Sequence, residues 1–500
     1  MLQRREEAIH VRDRAKRALF PLRRVPAEII LEVTEYARDD EQATDANGIL
    51  WVMGKVCGSW REIILGTPSL WTNVFVDLSS SASDYKKDLV VLRAWLDRSK
   101  DLPLNVRVRT TKRSPRAPSN QMVNEFLRVF VEHCKRWQSA HFNLGLVPEH
   151  WLALSQIKGQ LPMLQRLHLD GYLGPHDTFQ IAPMLQSVSL GHFQHLSSFD
   201  LPSEITHFTV DSFSLQCAGL QYLSRYSRLI ELAVNDSSSF KTPSIVARPD
   251  GNDQLLVTFP QLQKLHFTFK EWGRRDIKEV LATKLVLPTS LEHVEVSKLS
   301  YFGDLVARHQ CSFSSLTINH PYYISPNIPV PSVKEVLTVL RPLSLLTTLS
   351  LHRLHDLGDY LVLIEELIIR NYESPPSFLP HLKHLTFSIG DDEDSWHFST
   401  NFHDLEFHSS EVFDMLRSRW NVPAELIGPH RLESFVYTMN LHEEKVPALG
   451  SAEMTQFDVL RRQGMRVEFN FVEFEGKPTS EDDDGSYEIK RWRSDVWSPF

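Results

Sequence analysis

The sequence predicts an α/β protein: a small helical module near the amino terminus, then an irregular repeat solenoid built on a parallel sheet. Three observations carry this reading. Apolar residues recur at helical spacing between Val25 and Trp71. Beyond Trp71, short alternating β-like runs take turns with helical ones. A proline-led phrase, apolar-Pro-gap-L-x-x-L-x-L in its broad sense, then returns six times.

In the front module, Pro26 suits a helix start, where its missing N–H costs nothing, and Ile29, Ile30, Val33 and Ala37 follow at helical spacing. A polar, acidic stretch from Arg38 to Gly48 reads as a loop. The next segment places Val52, Val56, Trp60 and Ile63/Ile64 on one helical stripe, stopped by Gly66, Thr67 and Pro68. Two or three short helices make a small core that needs a neighbouring domain or a partner.

Behind the module, Asn73 to Leu78 and Leu104 to Arg109 read as strands, and Asp84 to Asp97 and Asn120 to Trp137 as helices. Strand–helix–strand units imply crossover connections and a parallel sheet. The phrase follows at Leu161, Ala182, Leu201, Phe259, Leu287 and Leu379. At 42% hydrophobic residues, its apolar frame alone would arise by chance roughly 35 times; the proline ahead of it gives it weight. Copies without the proline begin at Leu229, Phe313, Leu346 and Leu432, and further forward at Trp71, Pro103 and Trp137. The spacing wanders and the asparagine ladder of regular repeats is largely missing, so longer helices or loops are expected on the outer side.

Composition narrows the function. The 500 residues carry 54 Lys or Arg against 63 Asp or Glu, a net charge of −9. That disfavours a phosphate-tracking nucleic-acid binder. Cys57, Cys134, Cys217 and Cys311 lie 77 or more residues apart, so no CxxC pair exists and a reducing compartment is expected. No apolar run approaches the ~20 residues of a membrane span, and Met1 to Arg24 carries eight Lys or Arg and three acids rather than a secretory core. A cytoplasmic or nuclear protein, with no nucleic-acid or membrane partner, is the expectation. Walker A, GxGxxG, GxSxG and HExxH motifs are absent, so no catalytic role and no cofactor are expected.

On the strands, residues flanking and between the last two apolar positions of L-x-x-L-x-L face away from the core. These are His141, Arg166, His168, Asp170, His207, Asp211, Glu231, Lys264, His266, His293, Glu295, His352 and His384. All but the three Asp and Glu residues Asp170, Asp211 and Glu295 are taken as target-binding candidates. Imidazoles one strand apart would titrate near neutrality and meet an acidic partner or a metal; simple solvation of a polar face is the plainer reading. The H-x-x-H pairs His192/His195, His352/His355 and His381/His384 supply two ligands each, short of a zinc set, so no metal site is assigned. Acidic runs at Asp391 to Asp394 and Glu481 to Asp484 read as solvated segments.

Val25-Pro26-Ala27-Glu28-Ile29-Ile30, Val56-Cys57, Trp60-Arg61 and Leu70-Trp71 together resemble the F-box motif. Gly66-Thr67-Pro68-Ser69-Leu70-Trp71 is similar to the F-box families of mushroom-forming fungi. The repeat phrase resembles leucine-rich repeats, a familiar companion of F-boxes. The resemblance implies a basic helix over 1–21, an F-box over 22–71, a leucine-rich-repeat-like solenoid over 72–475 and a polar tail over 476–500. It implies docking on the Skp-type adaptor and, through it, cullin, in an SCF ubiquitin ligase, with the solenoid recruiting a protein substrate. Val25, Pro26, Glu28, Ile29, Ile30, Val33, Val56, Cys57, Trp60, Leu70 and Trp71 would form the adaptor-binding and core surface. Val25 stands where leucine is usual, Thr34 occupies a commonly apolar place, and Gly54 and Gly58 weaken the central helix. A non-ligase scaffold with a degenerate module, or a metal-dependent enzyme on the histidine face, are the alternative readings.

Overall fold

The computed structural model describes residues 25–38, 41–79, 85–110, 119–145, 147–172, 174–192, 196–211, 220–235, 256–268, 285–297, 302–303, 305–306, 313–319, 333–352, 357–370, 378–389, 409–423, 431–442, 451–475 and 488–493. The basic stretch before residue 25, both acidic runs, Cys217 and Cys311 lie outside them. The chain divides into two compact units, Met1–Ile205 and Thr206–Phe500. That division falls inside the stretch the sequence presents as one array.

The first unit begins with three short helices, α1 (Ala27–Tyr36), α2 (Ile49–Val56) and α3 (Gly58–Gly66), and a 3-10 turn at Pro68–Trp71. The single stripe predicted across Val52, Val56, Trp60 and Ile64 is broken. Cys57 is extended (φ −160°, ψ 173°), so α2 and α3 meet at a corner. Glycines at 54 and 58 make continuation of one helix unfavourable, and Arg61 Nε donates to the carbonyl of Gly54 at 2.9 Å, satisfying the end of α2 at that corner. Val52 and Val56 are therefore exposed, while Trp60 and Ile64 are buried. Thr34, polar in an apolar place, is buried but donates Oγ1 to the carbonyl of Ile30 at 2.6 Å, so its hydroxyl is satisfied.

The polar stretch after α1 works as more than a linker. Gln42 bridges Phe75 in parallel, and Ala43 N donates to Phe75 O at 2.8 Å, covering the edge of the first strand. Glu41 Oε1 accepts from Leu50 N at 3.2 Å, a side-chain cap for α2. Burial pushes the Glu41 carboxyl up to about 7. Gly48 makes room for this contact: a Cβ there would collide with Glu41 Oε1.

Five parallel strands follow in the order β1 (Asn73–Asp77), β2 (Leu104–Arg109), β3 (Trp137–Asn143), β4 (Arg166–Asp170) and β5 (Ser187–Gly191). Helix α4 (Tyr85–Arg98) crosses from β1 to β2, and α5 (Asn120–Glu132) from β2 to β3. The helix predicted through Trp137 ends at Glu132, because the buried Trp137 opens β3 and joins its apolar frame. A short α6 (Pro148–Leu152) lies between β3 and β4. Helical module and sheet share one core. Trp71 meets Trp51 edge-on at 5.3 Å and Trp95 of α4 at 5.0 Å, and the Arg98 guanidinium lies 4.5 Å from the Trp51 ring centre.

The second unit continues the same design. Its parallel strands run β6 (His207–Asp211), β7 (Glu231–Asn235), β9 (Lys264–Thr268), β11 (His293–Val296), β12 (Ser315–Asn319), β13 (Thr348–His352), β14 (His384–Ile389), β15 (Ser434–His442) and β16 (Arg466–Glu475). Two-residue strands β8 (Val257–Thr258) and β10 (Leu285–Val286) pair separately. Helices α7 (Leu220–Leu223), α8 (Val333–Leu340), α9 (Leu357–Leu367), α10 (Ser409–Trp420) and α11 (Ser451–Arg462) occupy the crossovers. From the segment read as a solvated tail, β17 (Glu488–Arg493) pairs antiparallel with β16.

The repeat phrase explains itself in three dimensions. Its leading apolar residue opens a turn closed by Leu185 N to Ala182 O at 3.0 Å, Leu262 N to Phe259 O at 3.1 Å and Leu382 N to Leu379 O at 3.3 Å. Proline sits second in each turn, where its locked φ fits. The three apolar positions of L-x-x-L-x-L are then buried: Leu262, Leu265 and Phe267, for example, or Leu382, Leu385 and Phe387. These alternating strands make the fold α/β with parallel, leucine-rich-repeat-like sheets.

One buried cation staples three segments of the second unit. Arg419, 1% exposed near the end of α10, donates to the carbonyls of Leu367 at 2.7 Å, Leu379 at 2.9 Å and Phe378 at 2.9 Å. Burial pulls its guanidinium down to about 10. Arg419→Met keeps the volume but leaves three buried acceptors unpaired, and should destabilise the unit by about 2–4 kcal/mol. Urea unfolding followed by tryptophan fluorescence checks this; an unchanged midpoint would show that the staple contributes nothing. In α2, a methyl group at position 54 meets nothing within 4 Å. Gly54→Ala should therefore stabilise the first unit by about 0.5–1 kcal/mol, seen as a higher melting temperature.

Candidate functional site

Two surfaces collect the residues singled out in the sequence. The first is the helical module. Ile30, Trp60, Leu70 and Trp71 are buried, and Trp71 Nε1 donates to the Ile64 carbonyl at 2.9 Å. These four hold the module together. At the surface of the module stand instead Pro26, Glu28, Ile29, Val33 and Val56, which are exposed, and Val25 and Cys57, which are half-buried. Ile29, Val33 and Tyr36, at 46%, 51% and 87% exposure, follow i, i+4, i+7 along α1 and form one apolar stripe. Tyr36 extends the stripe beyond the residues picked out by the motif; helical spacing alone would have found it.

The second surface is the polar face of the strands. Alternation puts Arg166, His168 and Asp170 on one side of β4 while Leu167 and Leu169 are buried on the other. In-register pairing sets His141 beside His168, their ring centres 3.9 Å apart. Asp170 accepts from Asn143 Nδ2 at 2.9 Å and pairs with His192 Nδ1 at 2.7 Å. Burial works against the Asp170 carboxylate, but the His192 hydrogen bond and the surrounding imidazoles outweigh it and hold the carboxyl below its ordinary range. His192 reaches this place from a bend with φ +55° just after β5, which no local pattern announces. The Arg107 guanidinium lies 4.9 Å from the Phe75 ring centre, on the strand beside His141.

In the second unit, Glu231, Lys264, His266 and His293 converge on neighbouring strands, joined by Glu295. His266 Nδ1 lies 2.9 Å from Glu295 Oε2, and its Nε2 is 3.9 Å from Glu231 Oε1. His293 Nδ1 lies 2.8 Å from Ser315 Oγ. The His266 hydrogen bond lowers the Glu295 carboxyl, while burial and the neighbouring His266 lower His293. His207, exposed at the start of β6, pairs with Glu231. His384 lies further along the same face, 3.2 Å from Ser434 Oγ, and His352 ends β13. Of the H-x-x-H pairs, His195 and His355 lie outside the described residues, and His381 precedes β14 while His384 opens it.

The expectation that the imidazole stack titrates near neutrality is corrected for His141 and His168. Burial, then the neighbouring His168, lowers His141 to about 4, and burial lowers His168 as well. At neutral pH these rings are uncharged and serve as hydrogen-bonding, stacking surface.

Comparison with solved structures adds a distant likeness. No family model matches the chain, and no curated protein matches it. An internalin from Listeria monocytogenes is similar at 14% identity over 66% of this chain and 88% of that chain, with a TM-score of 0.24.

The depressed His141 pKa has a defined consequence. Stability gained by keeping this ring neutral is fully present above about 6.5 and is lost as pH falls towards 4. The melting temperature should fall across that window, and His141→Gln should flatten the fall. An equally steep decline in the variant would place the acid sensitivity elsewhere.

Proposed function

We propose that this chain is a non-catalytic receptor, whose helical module docks on the Skp-type adaptor of an SCF ubiquitin ligase and whose sheet face recruits a target protein. The exposed stripe of Ile29, Val33 and Tyr36 is the observation that carries the reading. Apolar side chains aligned on one helical face and left in water favour burial against a partner. The stripe lies within the segment whose V-P-A-E-I-I, V-C-x-x-W and L-W order resembles an F-box. The buried tryptophans behind it support a rigid platform, because Trp71 locks the module to α4.

The polar strand faces support the recruiting half. A parallel sheet repeats one strand after another and presents rows of side chains on fixed backbone, a geometry suited to an extended protein partner. The ligase role would then be proximity: a tethered target reacts at high effective concentration with a transferase held by other subunits. Among the described residues no helix is long and apolar enough to cross a membrane. A ligase receptor of this kind would work in the cytoplasm or nucleus.

Capture of purified Skp-type adaptor by the full-length chain tests the proposal. Ile29→Asp with Val33→Asp should weaken capture at least ~tenfold, while exposed substitutions leave stability within ~0.5–1 kcal/mol. No capture by the unsubstituted chain, or undiminished capture by the double variant, would leave a scaffold without a ligase.

A further inference from the structure

We propose that His266, His293 and Glu295 form a binding site for a divalent transition-metal ion of the zinc class. The inference stands apart from adaptor docking and concerns the second unit alone. One donor atom from each residue lies within 4.8 Å of the other two. Two imidazoles and a carboxylate are the borderline nitrogen and oxygen ligands such an ion takes, and three protein ligands leave a fourth position open. Tetrahedral bonds of about 2.1 Å would bring the donors to roughly 3.4 Å from one another. Side-chain rotation supplies that contraction without moving the strands.

The surroundings fit a site better than an ion pair. His266 Nδ1 and Glu295 Oε2, 2.9 Å apart, account for one side of the His266 ring. Its Nε2 is buried without a hydrogen-bond partner among the described residues, as is Oδ1 of Asn319, whose amide nitrogen lies 3.5 Å from Glu295 Oε1. Ser315 Oγ, 2.8 Å from His293 Nδ1, can hold that ring so that Nε2 presents its lone pair, the outer-shell support that metal-bound histidines ordinarily have. Glu231 Oε1 faces the other ring nitrogen, 3.9 Å from His266 Nε2. His266 and Glu295 side chains keep 21% and 28% exposure, so an ion can enter from the polar face.

Calorimetric titration of Zn2+ into chelator-treated, untagged full-length protein tests the site. One equivalent bound at micromolar or tighter affinity, weakened at least ~tenfold in both His293→Gln and Glu295→Gln, is the expected result. Absence of stoichiometric binding, or a smaller loss in either variant, overturns the proposal. Should a variant misfold by circular dichroism, the unsubstituted chain still decides: Zn2+ must protect His266 and His293 from carbethoxylation, and unprotected rings overturn it equally.

Discussion

A backbone carbonyl shared by two successive amides of the next coil recurs in both units. The Gln263 carbonyl accepts from Glu292 N at 2.8 Å and His293 N at 3.0 Å; Thr347 does the same for Lys383 and His384, and Gln165 for Gln186 and Ser187. This shared acceptor sets the register between consecutive strands at the point where the chain enters the sheet. Because side chains alternate with period two, a slip of one residue would turn every apolar residue outward. The register therefore decides both what is buried and which polar residues become neighbours. Glu295 meets His266, and His168 meets His141, through that constraint.

The helical module depends on the first coils of the array in a similar way. Three short helices bury too little apolar surface to be stable alone. Trp71 solves this by sitting between Trp51 of α2 and Trp95 of α4, and the loop carrying Gln42 and Ala43 extends the sheet past β1. With the large aromatics committed to this core, the apolar residues left at the surface are smaller: Ile29, Val33 and Val56, together with the phenol of Tyr36. The division between buried and exposed residues follows from packing. Both kinds occur in the same motif, and sequence order does not separate them.

Strands were the most legible elements. Period-two alternation survives irregular spacing, and each copy of the phrase, with or without proline, lies at a strand from β1 to β15. β16 escaped notice because Gly464 occupies the first position of its frame, where an apolar residue is expected. The helices were less legible at their ends. Apolar spacing continues through Cys57 and up to Trp137, whereas the backbone turns at both places, once at a glycine-flanked corner and once because a tryptophan is needed in a strand. Arg419 carried no signal at all, since one arginine in a mixed helix looks like any solvated cation until three carbonyls surround it.

Residue order by itself determined the α/β class, the apolar frame, the face on which the polar candidates stand and the segment resembling an F-box. Those properties depend on local periodicity, which a linear pattern records. Only the tertiary structure decided which candidates touch. His266, His293 and Glu295, drawn from two strands, come together. It also decided their chemistry, taking His141 out of the neutral titration range by burial. Contact and burial are set by the pairing of distant segments, and no spacing within one segment encodes them.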